Sequence, residues 1–595
     1  MQRDDIDPEV RTRAVAAARG QQQFDLLFCN GTVVDVGTGE LRIGDVGVVG
    51  PMIASVHPQG SRSDAAEIVD CAGRYIAPGL IDMHVHFESS MLTPGPYAEA
   101  VCPRGTTTIF CDPHELANVS GVEGVRYAVD ASRGLPVRYI VQAPSCVPPQ
   151  PGLELSGYDL MGPEITTMLS WPEVGGLAEV MDMLGVLSDD RRMHEVVAAG
   201  LASGKLVSGH AAGLAGPDLQ AYLAAGIDSD HEIFMTGDVL ARLRAGLTVE
   251  LRGMIDALLP QVVSDLASLP ELPTHIVACT DDLFALTLLS DGGVDHLLRR
   301  LVAYGMPAVR ALRLATYNAA YRLGRVDLGL VAAGRRADLI VLSDLEAVKV
   351  EDVYTSGTHV AHGGSMLVAC VEGPSLLPLH TVHIPPLEPE DFVIRLESED
   401  QNAPATSARM RVIDGVVNTQ WAEVEVEVTL GEVIVPSDHI IQAVVHRHGR
   451  VPTRPHLALA HGWGDNWSGA VATTVSHDTH NLVVFGRDPV SMATAANAVI
   501  ASEGGVAVAQ GTELLAMIEL PIAGLLSPLP AGEVAAAQDA TQKAAQAIGL
   551  PAGILTQPLF QCLASSLACL PGPHVTDLGL IDGTTGELVP DLFLV

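Results

Sequence analysis

Positive charge is scarce in this sequence of 595 residues. Lysine and arginine together number 34, against 71 aspartates and glutamates, which gives a formal net charge of −37. Proteins that bind nucleic acid need a basic surface to neutralise phosphates, so this charge balance argues against a nucleic-acid partner. It leaves open a small neutral or basic substrate.

Paired cysteines and long apolar runs are also missing. None of the nine cysteines forms a Cys-x-x-Cys pair, and an odd number in so long a chain predicts reduced thiols in the cytoplasm. No apolar run reaches about 18 residues, so neither a spanning helix nor a membrane partner is expected. The first eight residues are acidic and lack an apolar core, so we expect no secretory signal.

The length and the hydrophobic content of 48% predict a globular chain of several domains. Residues 7–20 predict a helix with Asp7 as N-cap and Pro8 at its first position. Short strands separated by turns follow up to Cys71 and predict a small antiparallel β unit. Strands return after Gly334, and the simplest interpretation is that they complete this unit, a β-sandwich into which the intervening chain is inserted.

That intervening chain alternates buried strands with helical stretches over roughly 250 residues, which predicts a (β/α)₈ TIM-like barrel. A Pro-rich stretch then predicts a linker to a C-terminal α/β domain. The predicted domain boundaries are 1–75 and 326–372 for the two parts of the β-sandwich, 76–325 for the barrel, 373–389 for the linker and 390–595 for the C-terminal domain.

His84 and His86 end an apolar strand and are separated by one residue. Because side chains alternate faces along a strand, both imidazoles point the same way and are able to bind one metal ion. By itself the pair also fits a strand end with two half-exposed histidines. The residues further along the chain favour the metal.

Other predicted strands of the barrel also end in metal-competent side chains, namely Glu179, His210, His231 and Asp281. Polar residues at the C-terminal ends of barrel strands belong to the active-site face of that fold. Together with His84 and His86 they suffice for two metal ions that share a carboxylate. Taken singly, Glu179 also fits a core ion pair and Asp281 a helix N-cap.

Two further polar clusters have open roles. Asp112, His114 and Glu115 follow a strand, and they fit another metal, a substrate contact or a capped helix start equally well. Glu88 is a fourth candidate for this additional site. The run Ser476–Asn481, with His477, Asp478 and His480, is denser in polar groups than a turn needs.

The chain resembles the amidohydrolase superfamily and, within it, the bacterial and archaeal adenine deaminases. The resemblance spans nearly the whole chain. The matching blocks are Pro78–His86, His86–Met91, Arg104–Thr108, Asp112–Glu115, Pro144–Pro148, Glu179–Met181, Gly209–His210, Ser229–Glu232, Thr280–Asp282, Gly334–Leu339, Arg447–Arg450, Ser476–Asn481 and Leu520–Leu525.

The resemblance implies hydrolytic deamination of adenine to hypoxanthine and ammonia by a metal-bridging hydroxide that attacks C6. It implies two divalent metal ions, manganese or iron. His84, His86 and Asp281 would bind one ion, His210 and His231 the other, and Glu179 would bridge them. Glu179 and Asp281 would be the catalytic proton carriers.

The chain departs from the family pattern at three places, which bear on the identity of the substrate: Leu283, Gly292-Gly293 and Arg252-Gly253-Met254. The alternatives are therefore an amidohydrolase of the same fold acting on another purine or a cyclic amide, and a non-catalytic relative. In every enzymatic case the partner is a small molecule. Because soluble enzymes are commonly symmetric oligomers, we also expect a homo-oligomer.

Overall fold

The structure is a computed structural model that describes residues 6–396, 406–416, 418–552 and 559–594. The first element is the helix Pro8–Ala18, which Asp7 caps by accepting a hydrogen bond from the Glu9 N–H. This agrees with the sequence-based prediction.

Two small sheets pack against each other at the N-terminal end of the chain. Their strands are Phe24–Cys29, Thr32–Asp35, Glu40–Ile43, Asp45–Val49, Met52–His57, Ala65–Asp70 and Tyr75–Pro78, followed after the barrel by Leu339–Asp344, Lys349–Thr355, Thr358–His362 and Ser365–Met366. The prediction of a purely antiparallel unit is wrong. Phe24–Cys29 pairs in parallel with Ala65–Asp70, because the chain crosses to the other sheet before it returns.

The strands after the barrel complete a sheet that begins before it. Leu339–Asp344 lies antiparallel to Tyr75–Pro78, with Leu339 opposite Pro78. One apolar cluster joins the two sheets and includes Phe28, Val33 and Val341. The barrel is therefore inserted in a β-sandwich, and the domain boundaries drawn from the sequence stay predictions.

Eight strands form the barrel: Leu80–His86, Thr106–Cys111, Arg138–Ala143, Val174–Val180, Leu206–Gly209, Ser229–Asp230, Thr248–Leu251 and Ile276–Ala278. Neighbouring strands pair in parallel, and the Asp228 N–H donates to the Val207 carbonyl where the fifth strand meets the sixth. The short strand Asp281–Asp282 closes the barrel by pairing with Val85 and His86 of the first strand.

Helices follow the strands and cover the barrel: Pro94–Val101, His114–Ala131, Gly162–Leu169, Met183–Leu187, Arg191–Ser203, Gly216–Ala224, Asp238–Ala245, Leu259–Ser268, Ala285–Ser290, Val294–Ala303, Ala308–Leu314 and Tyr317–Arg322. Among the described residues, no helix is long and apolar enough to cross a membrane.

The predicted linker contains no helix or strand at residues 373–388, and it is anchored to the protein at a few points. The Gly373 N–H donates to the Ala131 carbonyl, and the His383 N–H donates to the Arg447 carbonyl. Ile384 and Leu387 are buried in the core of the C-terminal domain. The segment therefore ties the barrel to that domain.

The C-terminal domain is built on a mostly antiparallel sheet of ten strands: Ser407–Asp414, Gln420–Thr429, Glu432–Ile434, His439–Val445, His456–His461, Ala470–Thr473, Leu482–Gly486, Gly505–Gln510, Glu513–Glu519 and Phe593–Leu594. A second sheet contains Pro573–Thr576, Gly579–Asp582 and Glu587–Val589. The helices are Pro489–Ala501, Ala531–Ile548 and Phe560–Ala564. The predicted fold class, a barrel in a β-sandwich with a C-terminal α/β domain, is confirmed.

Candidate metal centre

The first barrel strand positions two imidazoles at the mouth of the barrel. His84 and His86 are both buried, and their Nε2 atoms lie 3.0 Å apart. The Nδ1 of His86 lies 2.9 Å from the Asp112 carbonyl, which only accepts hydrogen bonds. That nitrogen therefore carries the hydrogen, and the Nε2 lone pair of His86 points into the cluster.

Glu179 lies at the centre of the cluster, and its two carboxylate oxygens face different pairs of histidines. Its Oε1 is 3.2 Å from the Nε2 of His86 and 3.6 Å from the Nε2 of His84. Its Oε2 is 2.8 Å from the Nδ1 of His210 and 3.3 Å from the Nε2 of His231. A carboxylate in this position is able to bridge two ions.

Asp281 closes the cluster beside the first strand. Its Oδ1 lies 3.5 Å from the Nε2 of His84 and 3.4 Å from the Nε2 of His86. Its backbone has a φ of 60°, a conformation uncommon outside glycine. Two contacts with the first strand hold it there: the pairing of Asp281 with Val85, and the bonds from the Thr280 N–H and hydroxyl to Asp82, at 3.0 and 2.7 Å. The helix N-cap interpretation of Asp281 is wrong, because the next helix begins at Ala285 and its N-cap is Phe284.

The chemistry of these donors fits divalent metal ions. Most separations between facing imidazole nitrogens and carboxylate oxygens, 3.2–3.6 Å, are at or beyond the upper limit of a good hydrogen bond. Two ligands bound at about 2.1 Å to one ion lie about 3.0–3.4 Å apart. Metal-competent groupings within 4.8 Å include His84 with His231 and Asp281, and Glu179 with His210 and His231.

The imidazoles and Arg252 around the buried carboxylates favour their charged form. Burial alone would raise the pKa of Glu179, but the His231, His210 and His84 imidazoles hold that pKa well below its usual value. Burial also opposes ionisation of Asp281, and Arg252 together with His84 lowers the pKa of that carboxyl well below normal. Both are therefore ready as metal ligands and proton acceptors.

The sequence analysis missed two charged residues at the cluster. The Arg252 side chain is only 8% exposed, donates to Asp281 and lies 2.7 Å from Glu232. The Oε1 of Glu232 lies 3.3 Å from the Nε2 of His231, and Arg252 holds the pKa of Glu232 at about 2 against the opposing effect of burial. Arg252 directly follows the barrel strand Thr248–Leu251, which the sequence analysis did not recognise, and Glu232 lies two residues beyond the strand Ser229–Asp230. These positions could have identified both residues.

The second predicted cluster adjoins the first. His114 lies with its Nδ1 3.4 Å from the Oε1 of Glu179 and 3.1 Å from the Oδ2 of Asp112. The capped-helix interpretation of Asp112 is wrong, because the helix begins at His114 and its N-cap, Pro113, makes no side-chain cap. Glu115 and Glu88 are fully buried, and burial followed by the charge of Glu115 raises the pKa of Glu88 well above normal.

A cavity of about 600 Å³ opens over the cluster. Residues from the barrel and from the C-terminal domain line it, including His86, His114, Glu179, His210, His231, Asp281, His477 and Asp478. The run Ser476–Asn481 therefore reaches the site, while His480 lies buried behind the wall. The volume of the cavity lies within the range of about 300–1,000 Å³ that is typical of small-molecule sites.

The departures from the family pattern divide between two cavities. Arg252 and Met254 line the large cavity. Leu283 and the pair Gly292-Gly293 line a neighbouring pocket of about 110 Å³, which Met254 also borders. Only the block that contains Arg252 and Met254 therefore faces the space over the candidate metal ligands.

Known proteins resemble the chain along its whole length. A model of the amidohydrolase family matches residues 75–360, and a model of the adenine deaminase C-terminal domain matches residues 416–587. An adenine deaminase of Klebsiella pneumoniae is 52% identical over 593 residues, covering 98% of this chain and 96% of the relative. One from Moorella thermoacetica is 38% identical and covers 98% of both chains.

Among solved structures, an adenosine deaminase from Xanthomonas campestris with bound zinc is 16% identical. It covers 58% of this chain and 95% of its own, with a TM-score of 0.45. The two family models and the full-length relatives agree with the resemblance noted in the sequence. The chain belongs to the adenine deaminase family of amidohydrolases.

Proposed function

We propose that this chain hydrolyses adenine to hypoxanthine and ammonia in the cavity at the mouth of the barrel. The observation that carries the proposal is the convergence of four histidines and two carboxylates on one side of that cavity, in a chain with full-length adenine deaminase relatives. The six residues are His84, His86, Glu179, His210, His231 and Asp281.

These residues would hold two divalent ions. His84, His86 and Asp281 would hold one ion, His210 and His231 the other, and Glu179 would bridge them. The measured contacts support this division, because each oxygen of Glu179 faces a different pair of histidines. Two such ions supply a strong nucleophile from water at neutral pH.

The carboxylates of the cavity would move the protons. Hydrolysis forms a C6–O bond and breaks the C6–N bond, so water gives up a proton and the leaving amino group takes one. Asp281 and Glu179 line the cavity in their charged forms and serve as acceptors that pass the proton on. Arg252 would orient Asp281 for this transfer.

Manganese or iron is the proposed metal, because imidazole and carboxylate ligands suit both ions. We also propose a cytoplasmic location and a homo-oligomeric state. All nine cysteines are free thiols, which favours a reducing compartment. Closed symmetric oligomers are common among soluble enzymes, which favours the oligomer.

A substrate panel tests the proposal. Protein purified with manganese is incubated with adenine, with a second aminopurine and with a cyclic amide, and the ammonia or ring-opened product is measured. We expect rapid ammonia release from adenine alone. Turnover of another substrate while adenine stays inert would move the activity to the alternative amidohydrolase. If metal-loaded protein turns over none of the three substrates, the result would favour a non-catalytic relative.

A further inference from the structure

A second group of metal-competent side chains lies where the barrel meets the C-terminal domain. His114 and Glu115 begin the barrel helix His114–Ala131, and His477 and Asp478 lie on the connection between two strands of the C-terminal domain. We call these four residues the cross-domain cluster. Each is at most 5% exposed.

Donor atoms of the cluster lie close to one another, and those of His114, Glu115 and His477 are all within 4.8 Å. The Oδ1 of Asp478 lies 3.7 Å from the Nε2 of His114 and 3.4 Å from the Nδ1 of His477. That Nδ1 lies 3.7 Å from the Oε1 of Glu115. These separations exceed those of good hydrogen bonds, and they are at or slightly above the spacing of about 3.0–3.4 Å between two ligands of one ion.

His114 is oriented as a metal ligand. Its Nδ1 lies 3.1 Å from the Oδ2 of Asp112, and a carboxylate oxygen accepts hydrogen bonds, so this nitrogen carries the hydrogen. The Nε2 lone pair then points at the cross-domain cluster and has no hydrogen-bond partner among the described residues. A carboxylate that holds one imidazole nitrogen commonly directs the other nitrogen to a metal.

Glu115 faces His477 through its Oε1 and, among the described residues, keeps its second carboxylate oxygen without a hydrogen-bond partner. Its Oε1 accepts a hydrogen bond of 2.6 Å from the Ser89 hydroxyl, while its Oε2 has no hydrogen-bond partner within the described part of the chain. His480 lies 3.8 Å from that oxygen but is not a ligand. Its Nδ1 accepts from the Ser476 N–H, so its other nitrogen carries the hydrogen.

We propose that the cross-domain cluster binds a third divalent cation, which fastens the C-terminal domain to the barrel. Two imidazoles and two carboxylates suit manganese, iron(II) or zinc. His114, His477 and Asp478 line the large cavity, which gives an ion a route to the site. This site goes beyond the proposed function, because the bridging arrangement around Glu179 needs only two ions.

Counting bound Mn²⁺ tests the proposal on the full chain. Wild-type protein and the variants Asp478→Asn, Glu115→Gln and Asp159→Asn are dialysed to equilibrium against Mn²⁺, and metal is measured per chain. We expect three ions in the wild type and two in Asp478→Asn and in Glu115→Gln. Asp159→Asn is the matched control, because it removes a carboxylate that pairs with Arg450 across the same interface, outside the cluster. It should keep three ions.

Thermal unfolding supplies a second readout that does not depend on activity. Because an ion held by both domains stabilises the folded state by mass action, Mn²⁺ should raise the melting temperature of the wild type more than that of Asp478→Asn. Two ions in the wild type, or three in both carboxylate variants, would overturn the proposal. Two ions with ammonia release from adenine would contradict the third site and leave the proposed function intact. Three ions without ammonia release would support the third site and contradict the proposed function.

Discussion

The two walls of the large cavity are built from different kinds of structure. On the barrel wall, each candidate ligand sits on or directly after a parallel strand, so the strand pairing fixes its direction. On the opposite wall, His477 and Asp478 lie on an irregular connection between Ala470–Thr473 and Leu482–Gly486. The comparison suggests a division of labour, in which the barrel supplies the chemistry and the C-terminal domain closes the site.

The largest expected effect is on the barrel wall, at Glu179. Glu179→Ala removes the carboxylate that faces both histidine pairs, so we expect metal and activity to be lost together. The fall in kcat should exceed about 10⁴-fold, the upper end of what acid–base catalysis alone contributes. Metal content and ammonia release are measured on the same sample, with exposed Glu67→Ala as the control. A variant that keeps full metal content would contradict the bridging role.

Asp281→Asn separates metal binding from proton transfer. The amide keeps the shape of the side chain but cannot carry the proton, so much of the metal should remain while kcat falls about 10²–10³-fold. Steady-state kinetics and metal counting provide the test, and the control is Asp265→Asn, at a half-buried position of the helix Leu259–Ser268. Activity near the wild-type level would remove Asp281 from the proposed proton path.

Arg252→Gln tests whether activity at the barrel wall also depends on residues that are not candidate metal ligands. The guanidinium contacts both Asp281 and Glu232, and its loss leaves two buried carboxylates without their cation. Partners that orient ligands typically contribute about 10–100-fold to metal affinity or activity, and we expect a loss of that size. The control is exposed Arg244→Gln, and kcat is measured at saturating Mn²⁺. An unchanged kcat would make Arg252 purely structural.

The smallest catalytic effect is expected at the contact that docks the opposite wall. Asp577 lies 2.7 Å from the Nδ1 of His446 and accepts a hydrogen bond from the Leu155 N–H of the barrel region at 3.0 Å. Asp577→Asn should destabilise the fold by about 1–3 kcal/mol, because buried partners lose a charged acceptor. A lower melting temperature with kcat within about threefold is expected, against exposed Asp591→Asn. A large loss of kcat at unchanged stability would contradict the division of labour.

The barrel wall was predictable because its order in space follows its order in sequence. Strand alternation placed His84 and His86 on one face, and the strand-ending residues Glu179, His210 and His231 did gather beside them. Arg252 was not predicted as a residue of this wall, because Thr248–Leu251 is short and was not recognised as a strand. The roles of His84, His86, Glu179, His210 and His231 as metal ligands stay predictions.

The opposite wall could not be placed from the sequence. His477 and Asp478 lie roughly 300 residues beyond Glu179 and reach the cavity only through the packing of one domain on another. No local periodicity encodes that packing. The same limit explains the error at the N-terminal sheets, where the chain crosses between sheets and makes Phe24–Cys29 parallel to Ala65–Asp70.

The most direct test of the central claim is ammonia release from adenine by manganese-loaded protein, with bound metal counted on the same sample. The account predicts rapid release from chains that hold at least two ions, and loss of release when a chelator removes them. Release at full rate from metal-free protein, or no release from chains that hold two or more ions, would contradict it.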